Sequence, residues 1–415
     1  MKPVAILGGG LVGPAFAIFL HKHDIPSVIY EGRDEGWQQG GHIALAPNAL
    51  RVADHIGIYS KFRSQGYNYE VLTLMNNSGD VLARILNGCE KEYSFSALRV
   101  PRAIVRKALL DEVKVRGIPI HYNKRCVAIR EELDDVTITF EGGDTVPAEY
   151  VVGADGINSI VRRSVNPDSG PKYSGLLAVI GTVQKENLGI VEIDLELPCM
   201  LYGKGGSFTI MPASYDGEEI GFFATVEYPD QSVQEWAQLE KNKEKLRGIL
   251  DDLTEEGIWP SSVKKLIAAV SPETLEIWPF SQIPKLDHYT SEKGKVIFIG
   301  DAAHAIPPSA GQGAAVGFED AETLAYAFSK LLQPGVDHSP KYYLELWEEH
   351  RKQRIAKIFE VTRAAGELRR KSNHAQQILQ QWLIWAKYKL TGMGAGLEWI
   401  YLYNAESVLR DIAKQ

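Results

Sequence analysis

The chain has 415 residues, enough for a large core in two or three structural units, and its 45% hydrophobic and 24% charged residues are ordinary for a globular enzyme. With 45 basic against 53 acidic residues the formal charge is −8 and no basic block occurs, which argues against nucleic acid as the main partner. Cys89, Cys126 and Cys199 are far apart without metal-ligand spacing, so they read as reduced thiols and no metal site is expected.

VAIL (4–7) is a short apolar run ending at glycine, the pattern of a strand buried on both faces. GGGLVG (8–13) follows, containing Gly8, Gly10 and Gly13 in the spacing G-x-G-x-x-G. The next stretch has helical periodicity, with Pro14 tolerable in a first turn whose N–H groups lack partners. PSVIYE then reads as a second strand finishing at Glu31, 18 residues after Gly13. In such a βαβ unit Gly8 permits the tight turn, Gly10 admits a pyrophosphate and Gly13 lets helix and strand pack closely. The helix N-terminus faces the phosphates and Glu31 can accept hydrogen bonds from ribose hydroxyls. A dinucleotide site is expected; the acid suits either NAD or the adenosine half of FAD.

Between about 175 and 280 the pattern changes to strands of alternating polarity, LLAVIGTV, SFTIMPAS and EIGFFATVEY, so a mostly antiparallel sheet is expected. Residues 231–270 show helical spacing up to Pro272. VIFIG (296–300) is another buried strand, placing Asp301 at its carboxyl end, where ligands of parallel sheets bind. A loop with Pro307, Pro308, Gly311 and Gly313 leads into a further helical stretch. The last 80 residues are rich in helix formers. Within them WLIWAKYKLTGMGAGLEWIYLY (382–403) is broken by Lys387, Lys389 and Glu398. It is read as a buried or capping helical segment, with weak membrane-surface association as the alternative, and no run is long enough to span a bilayer. No signal, transit or peroxisomal address is expected, so a cytoplasmic location is.

Four stretches together resemble the class A flavoprotein monooxygenases, the para-hydroxybenzoate hydroxylase-like family. Besides the glycine turn they are GGHIALAPNALR (40–51), RVPRAIVRKALL (99–110), VVGADGINSIVR (151–162) and GDAAHAIPPSAGQGAAVGFEDA (300–321). The resemblance implies an α/β fold: a Rossmann-like FAD-binding domain, an interleaved, mostly antiparallel substrate domain and a helical C-terminus. The expected boundaries are 1–72, 99–174 and 281–335 for the first, 73–98 and 175–280 for the second, and 336–415 for the third.

It also implies roles. Glu31 and Asp301 would hold the adenosine ribose and the ribityl–pyrophosphate region, and Arg102 the pyrophosphate. Asp155 belongs to the Asp-Gly motif. Pro308, Gly311, Gly313 and Ala314 would lie against the isoalloxazine, with Gly41 and Ala44 bordering it on the other side. Arg33 stands one residue later than the family's Glu-Arg pair would put it, because Gly32 intervenes. His42 is read as a packed or solvated side chain. No catalytic dyad is evident, consistent with the implied mechanism: NAD(P)H reduces the flavin, O₂ adds at C4a, and the hydroperoxide delivers an oxygen atom. A reductase or dehydrogenase and a halogenase are the alternatives on the same scaffold.

Members acting on acidic phenols often carry an arginine before the glycine of the first sheet strand; here Ile180 precedes Gly181, and Met211 precedes Pro212. The expectation is therefore a bulky, apolar, largely neutral substrate, hydroxylated or epoxidised, of indole, polyketide or meroterpenoid type. Ile180, Tyr202, Met211 and Phe222, with Phe208 and Phe223, are the candidates for the pocket wall.

Overall fold

The computed structural model describes residues 2–37, 40–133, 135–188, 194–255, 259–333, 340–394 and 396–405. Four uninterrupted apolar residues make Val4–Leu7 a strand buried on both sides. It is the middle of a five-stranded parallel sheet in the order Val296–Phe298, Val151–Gly153, Val4–Leu7, Ser27–Tyr30, Ile120–His121. Helices Val12–Lys22 and Gly313–Leu331 pack on one another beside it, with Phe16 edge-on to Phe328 at 5.9 Å. The carboxyl ends of the three strands from Val4, Val151 and Val296 open into the glycine turn, Ala154–Asp155 and Asp301, respectively. Segments some 140 residues apart in sequence are thus delivered to one edge.

A small antiparallel sheet, His42–Leu45, Ala97–Pro101 and Tyr67–Tyr69, stands next to that edge. Leu98 and Val100 point into the main core. Strand alternation sends Ala97 and Arg99 the other way, with Ala44 and Tyr67 directly across from Arg99. That second face meets a seven-stranded sheet ordered Glu276–Gln282, Lys172–Gln184, Glu219–Glu227, Gly206–Pro212, Cys199–Tyr202, Val71–Asn76, Val81–Leu86. Its pairs are antiparallel except Cys199–Tyr202 with Val71–Asn76.

Register fixes which side chains face which way. Val179, Phe222 and Phe208 turn to helices Val233–Lys241, Lys243–Glu255 and Ser261–Ala269 and form a second core with Leu246, Leu250 and Trp259. Phe222, expected in the pocket wall, therefore lies on the far side of the sheet, as does Phe208. The ring of Phe222 fills the space above Gly181, where an added Cβ would stand 2.7 Å from it. Their neighbours Phe223, Thr209, Met211, Ile180 and Gly221 occupy the opposite face, in register with one another.

The long helix Pro340–Glu367 is fastened under helix Gly313–Leu331 by buried charges. Arg351 donates to Asp320 at 2.7 Å and to Glu319 at 3.0 Å, and Arg354 donates twice to Glu319 at 2.6 Å. Asn48 adds a bond to Glu319, and His304 shares a proton with Asp320 at 2.6 Å. The segment 382–403, expected to be buried or capping, is helical within His374–Thr391 and Glu398–Tyr401 and buries Ile384, Ile400 and Tyr401. Its Ile384 packs inward, whereas Trp382, Leu383, Trp385 and Leu390 are exposed.

Candidate active site

The glycine turn has the conformation its sequence demands. Gly8 takes φ +117°, and a Cβ there would lie 2.3 Å from the Ala154 carbonyl oxygen; at Gly13 it would lie 2.0 Å from that of Gly8. Gly10 is different, since the nearest atom to an added Cβ is an Arg102 nitrogen at 4.0 Å, leaving its surface open. Glu31 accepts the Gly9 N–H at 2.5 Å and the Arg33 N–H at 2.9 Å, so it fixes the turn and keeps lone pairs for a ligand. Arg33 stacks its guanidinium 3.5 Å over Trp37. Arg106, which the sequence reading passed over, ties Gly9 to Trp37 through bonds of 2.9 Å to each carbonyl.

Arg102 opens helix Arg102–Val115, its N–H bonded to the Gly41 carbonyl at 3.0 Å. Burial pulls its pKa down while Asp301 opposes that shift. Asp301 can be reached by water yet is crowded by protein, as at the floor of an open recess. Burial pushes its carboxyl pKa up, with Arg102 and His304 opposing. Neither side chain has a hydrogen bond among the described residues, although the two charges are opposite and close enough to interact. Gly41, Gly311 and Gly313 show nothing within 4 Å of an added Cβ. Gly313 and Ala314 form the first turn of the 19-residue helix Gly313–Leu331, where N–H groups lack intrahelical partners and the dipole is positive. Pro308 starts the short turn before it, and Ala44 borders the same region from the small sheet.

Asp155 does something more local. One of its oxygens accepts the N–H groups of Ile160 and Val161 at 2.8 and 3.3 Å, and the other has no partner. Arg162 is fully buried and donates to the carbonyls of Ile157, Ser169 and Ala302, binding this motif to the one at Asp301. The glycine turn, Asp155 and Asp301 thus stand at the carboxyl ends of three neighbouring parallel strands, with Arg102 and the start of helix Gly313–Leu331 beside them. This donor set suits a long ligand carrying ribose hydroxyls and a pyrophosphate.

Two further cations lie between the small sheet and the seven-stranded one. Arg99 is 3% exposed, sits 5.5 Å from the Phe223 ring centre and occupies space left by Gly221, whose added Cβ would meet its Nη2 at 2.6 Å. Among the described residues its side chain has no hydrogen bond or ion pair, and Nε is wholly enclosed. Burial lowers its pKa to about 10, with Tyr69 and Glu219 opposing, so it is cationic at neutral pH. Arg369, 4% exposed, reaches in from the C-terminal side and among the described residues meets neutral acceptors: Thr209 Oγ1 at 3.3 Å, the Ser309 carbonyl at 3.2 Å and the Met200 sulfur at 3.8 Å. Thr209 is the cross-strand partner of Phe223, so both cations face neighbouring positions of the same sheet surface.

Met211 packs with Tyr69, Ala97 and Tyr67, and Ile180 with Phe223, on that surface. Tyr202 lies beyond them, buried with Ile384 of the C-terminal helix and close enough to Arg369 for charge interaction. Burial, then Arg99, depress the His42 pKa. Sequence reasoning missed Arg99 and Arg369. The only signal was an arginine set between Leu98 and Val100 in an otherwise apolar strand.

A family model described as an FAD binding domain matches residues 1–362. The 3-amino-4-hydroxybenzoate 2-monooxygenase PtnB3 of Streptomyces platensis is 28% identical over 88% of this chain and 87% of its own. The 6-hydroxynicotinate 3-monooxygenase of Pseudomonas fluorescens is 27% identical over 86% and 89%. In three dimensions, Klebsiella pneumoniae HpxO, solved with FAD and uric acid, superposes with a TM-score of 0.77 at 22% identity, covering 94% of this chain and 96% of that one. The chain therefore belongs to the class A, FAD-dependent flavoprotein monooxygenases.

Proposed function

We propose that this enzyme uses NAD(P)H and O₂ to hydroxylate a planar aromatic or conjugated acid whose anionic group is held by Arg99 and Arg369. The carrying observation is the pair of buried guanidiniums with no carboxylate in hydrogen-bond reach among the described residues, Glu219 acting on Arg99 only at longer range. A charge removed from water costs several kcal/mol unless paired, and guanidinium does not deprotonate to escape that cost. A substrate carboxylate or phenolate supplies the missing partner in the charge-assisted geometry that arginine favours. Phe223, Met211, Ile180 and Tyr67 surround the rest of the space with apolar and aromatic surface suited to a flat ring. The names of the two relatives describe planar aromatic acids, which supports the same reading. It replaces the neutral substrate expected from Ile180 and Met211, because the cations arrive from other elements.

For the cofactor, the reading assigns the Gly8–Gly13 turn and Arg102 to the pyrophosphate and Glu31 to the adenosine ribose. Arg33 lies alongside, Asp301 serves the ribityl–pyrophosphate region, and Asp155 shapes the recess wall. Gly41, Ala44, Pro308, Gly311, Gly313 and Ala314 enclose the ring. Bound FAD supplies the redox and oxygen chemistry, while these residues bind, orient and exclude water.

The test measures oxygen uptake and NAD(P)H oxidation with phenolic carboxylates and their matched carboxamides. The acid should stimulate both and yield a product heavier by one oxygen atom, and Arg99→Gln should erase the preference while FAD absorbance persists. Equal stimulation by acid and amide, or loss of FAD from Arg99→Gln, counts against the proposed clamp. A chloride-dependent product would instead favour a halogenase.

A further inference from the structure

The helix His374–Thr391 is amphipathic in the reverse of the usual sense. Gln377, Ile384 and Tyr388 face inward, Gln377 bonding Asn77 at 3.0 Å and Ile384 packing among Leu74, Ala83 and Ile85. Ile378, Leu379, Trp382, Leu383, Trp385 and Leu390 follow one another around the opposite side. Trp382 is 59% and Leu390 86% exposed, so one face of the helix holds two tryptophans, three leucines and an isoleucine in solvent. Clustered exposed apolar side chains of this kind mark an interaction surface.

On the helix itself the charge has one sign. Although the chain carries a net −8, residues 368–397 contain no acid, while Lys387 and Lys389 stand exposed on the helix itself. We infer that this face docks on a bilayer containing anionic phospholipid, the apolar side chains entering the headgroup boundary and the lysines meeting lipid phosphates. Tryptophan favours that boundary, and lysine can extend from an apolar stripe to reach phosphate. A second copy of the chain fits less well. A two-fold contact along the helix would bring Lys387 and Lys389 against their own copies, and the helix carries no acid to pair with them. The helix would lie on the surface, since among the described residues none is long and apolar enough to cross a membrane.

The test is co-sedimentation of the full-length, FAD-loaded enzyme with phosphatidylcholine vesicles, with and without phosphatidylglycerol. The enzyme should pellet with the mixed vesicles, release with added salt, and shift its tryptophan emission to shorter wavelength. Lys387→Gln with Lys389→Gln should lower that binding roughly tenfold. Trp382→Ser with Leu383→Ser should abolish it, with FAD absorbance and the unfolding midpoint retained as evidence of folding. Three results overturn the inference: enzyme left in the supernatant, equal binding to the neutral vesicles, or variants that bind as the parent does. A stable dimer that Trp382→Ser dissociates, without vesicle binding, assigns the face to self-association and overturns it too.

Discussion

The molecule buries arginines in two ways. Arg351 and Arg354 are locked to Glu319 and Asp320, so their charge is neutralised within the chain. Arg99 and Arg369 are almost as deeply buried and meet no carboxylate among the described residues. Burial alone therefore does not mark a functional cation, and neither does the lack of a carboxylate, since buried Arg162 is satisfied by three carbonyls. Arg99 stands apart because its side chain has no hydrogen bond among the described residues.

The largest contrast should come from removing one member of each set. Arg351→Met leaves Glu319 and Asp320 short of a cation and should destabilise the fold by about 3–5 kcal/mol in denaturant unfolding. Arg99→Met removes an unpaired charge and should leave substrate-free stability unchanged or raise it by about 1 kcal/mol. A destabilisation equal to that of Arg351→Met would erase the distinction. For substrate, Arg99→Gln should lower kcat/KM for an aromatic acid by about 2–3 kcal/mol, roughly 30- to 150-fold, with little change for the matching amide.

The balanced set should also announce itself in pH. Burial pushes the Asp320 carboxyl up, but His304, Arg351 and the Gly300 N–H together outweigh it and hold the pKa at about 2. A depressed carboxylate pKa stabilises the fold above the unfolded value near 4 and loses that contribution as pH falls through 2. Unfolding free energy should drop by about 2 kcal/mol across that window, and a flat profile would contradict the assignment. The smallest effect tunes the unbalanced set. Gly221→Ala puts a methyl where the Arg99 fork now sits, and the fork, being the end of a flexible side chain, can move. Stability should change by less than about 0.5–1 kcal/mol. KM for the acid should rise roughly fivefold, about 1 kcal/mol.

Much of the cofactor half was legible because its constraints act on backbone. Only glycine satisfies φ +117° at Gly8 or the 2.0 Å approach at Gly13, so the residue type itself records the geometry. The substrate half was less legible because its constraints act on orientation. Phe222 and Phe223 alternate in a strand covered on both faces, and nothing in an apolar pair says which ring meets helices and which meets substrate. The same ambiguity holds for the segment 382–403, read as buried or capping: Ile384, Ile400 and Tyr401 turn inward while Trp382, Leu383 and Trp385 turn out, which its composition does not tell apart. Arg369 left no local signal, since its environment is assembled from Thr209, Met200 and Ser309, between 60 and 169 residues away.

The position of Arg369 also bears on how such an enzyme can diversify. The shared FAD-binding match ends at residue 362, seven positions before this arginine. One half of the proposed anion clamp thus lies just beyond the matched segment, in the turn that follows helix Pro340–Glu367. A change near residue 369 could therefore alter the preference for acids while leaving the FAD-binding segment as it is.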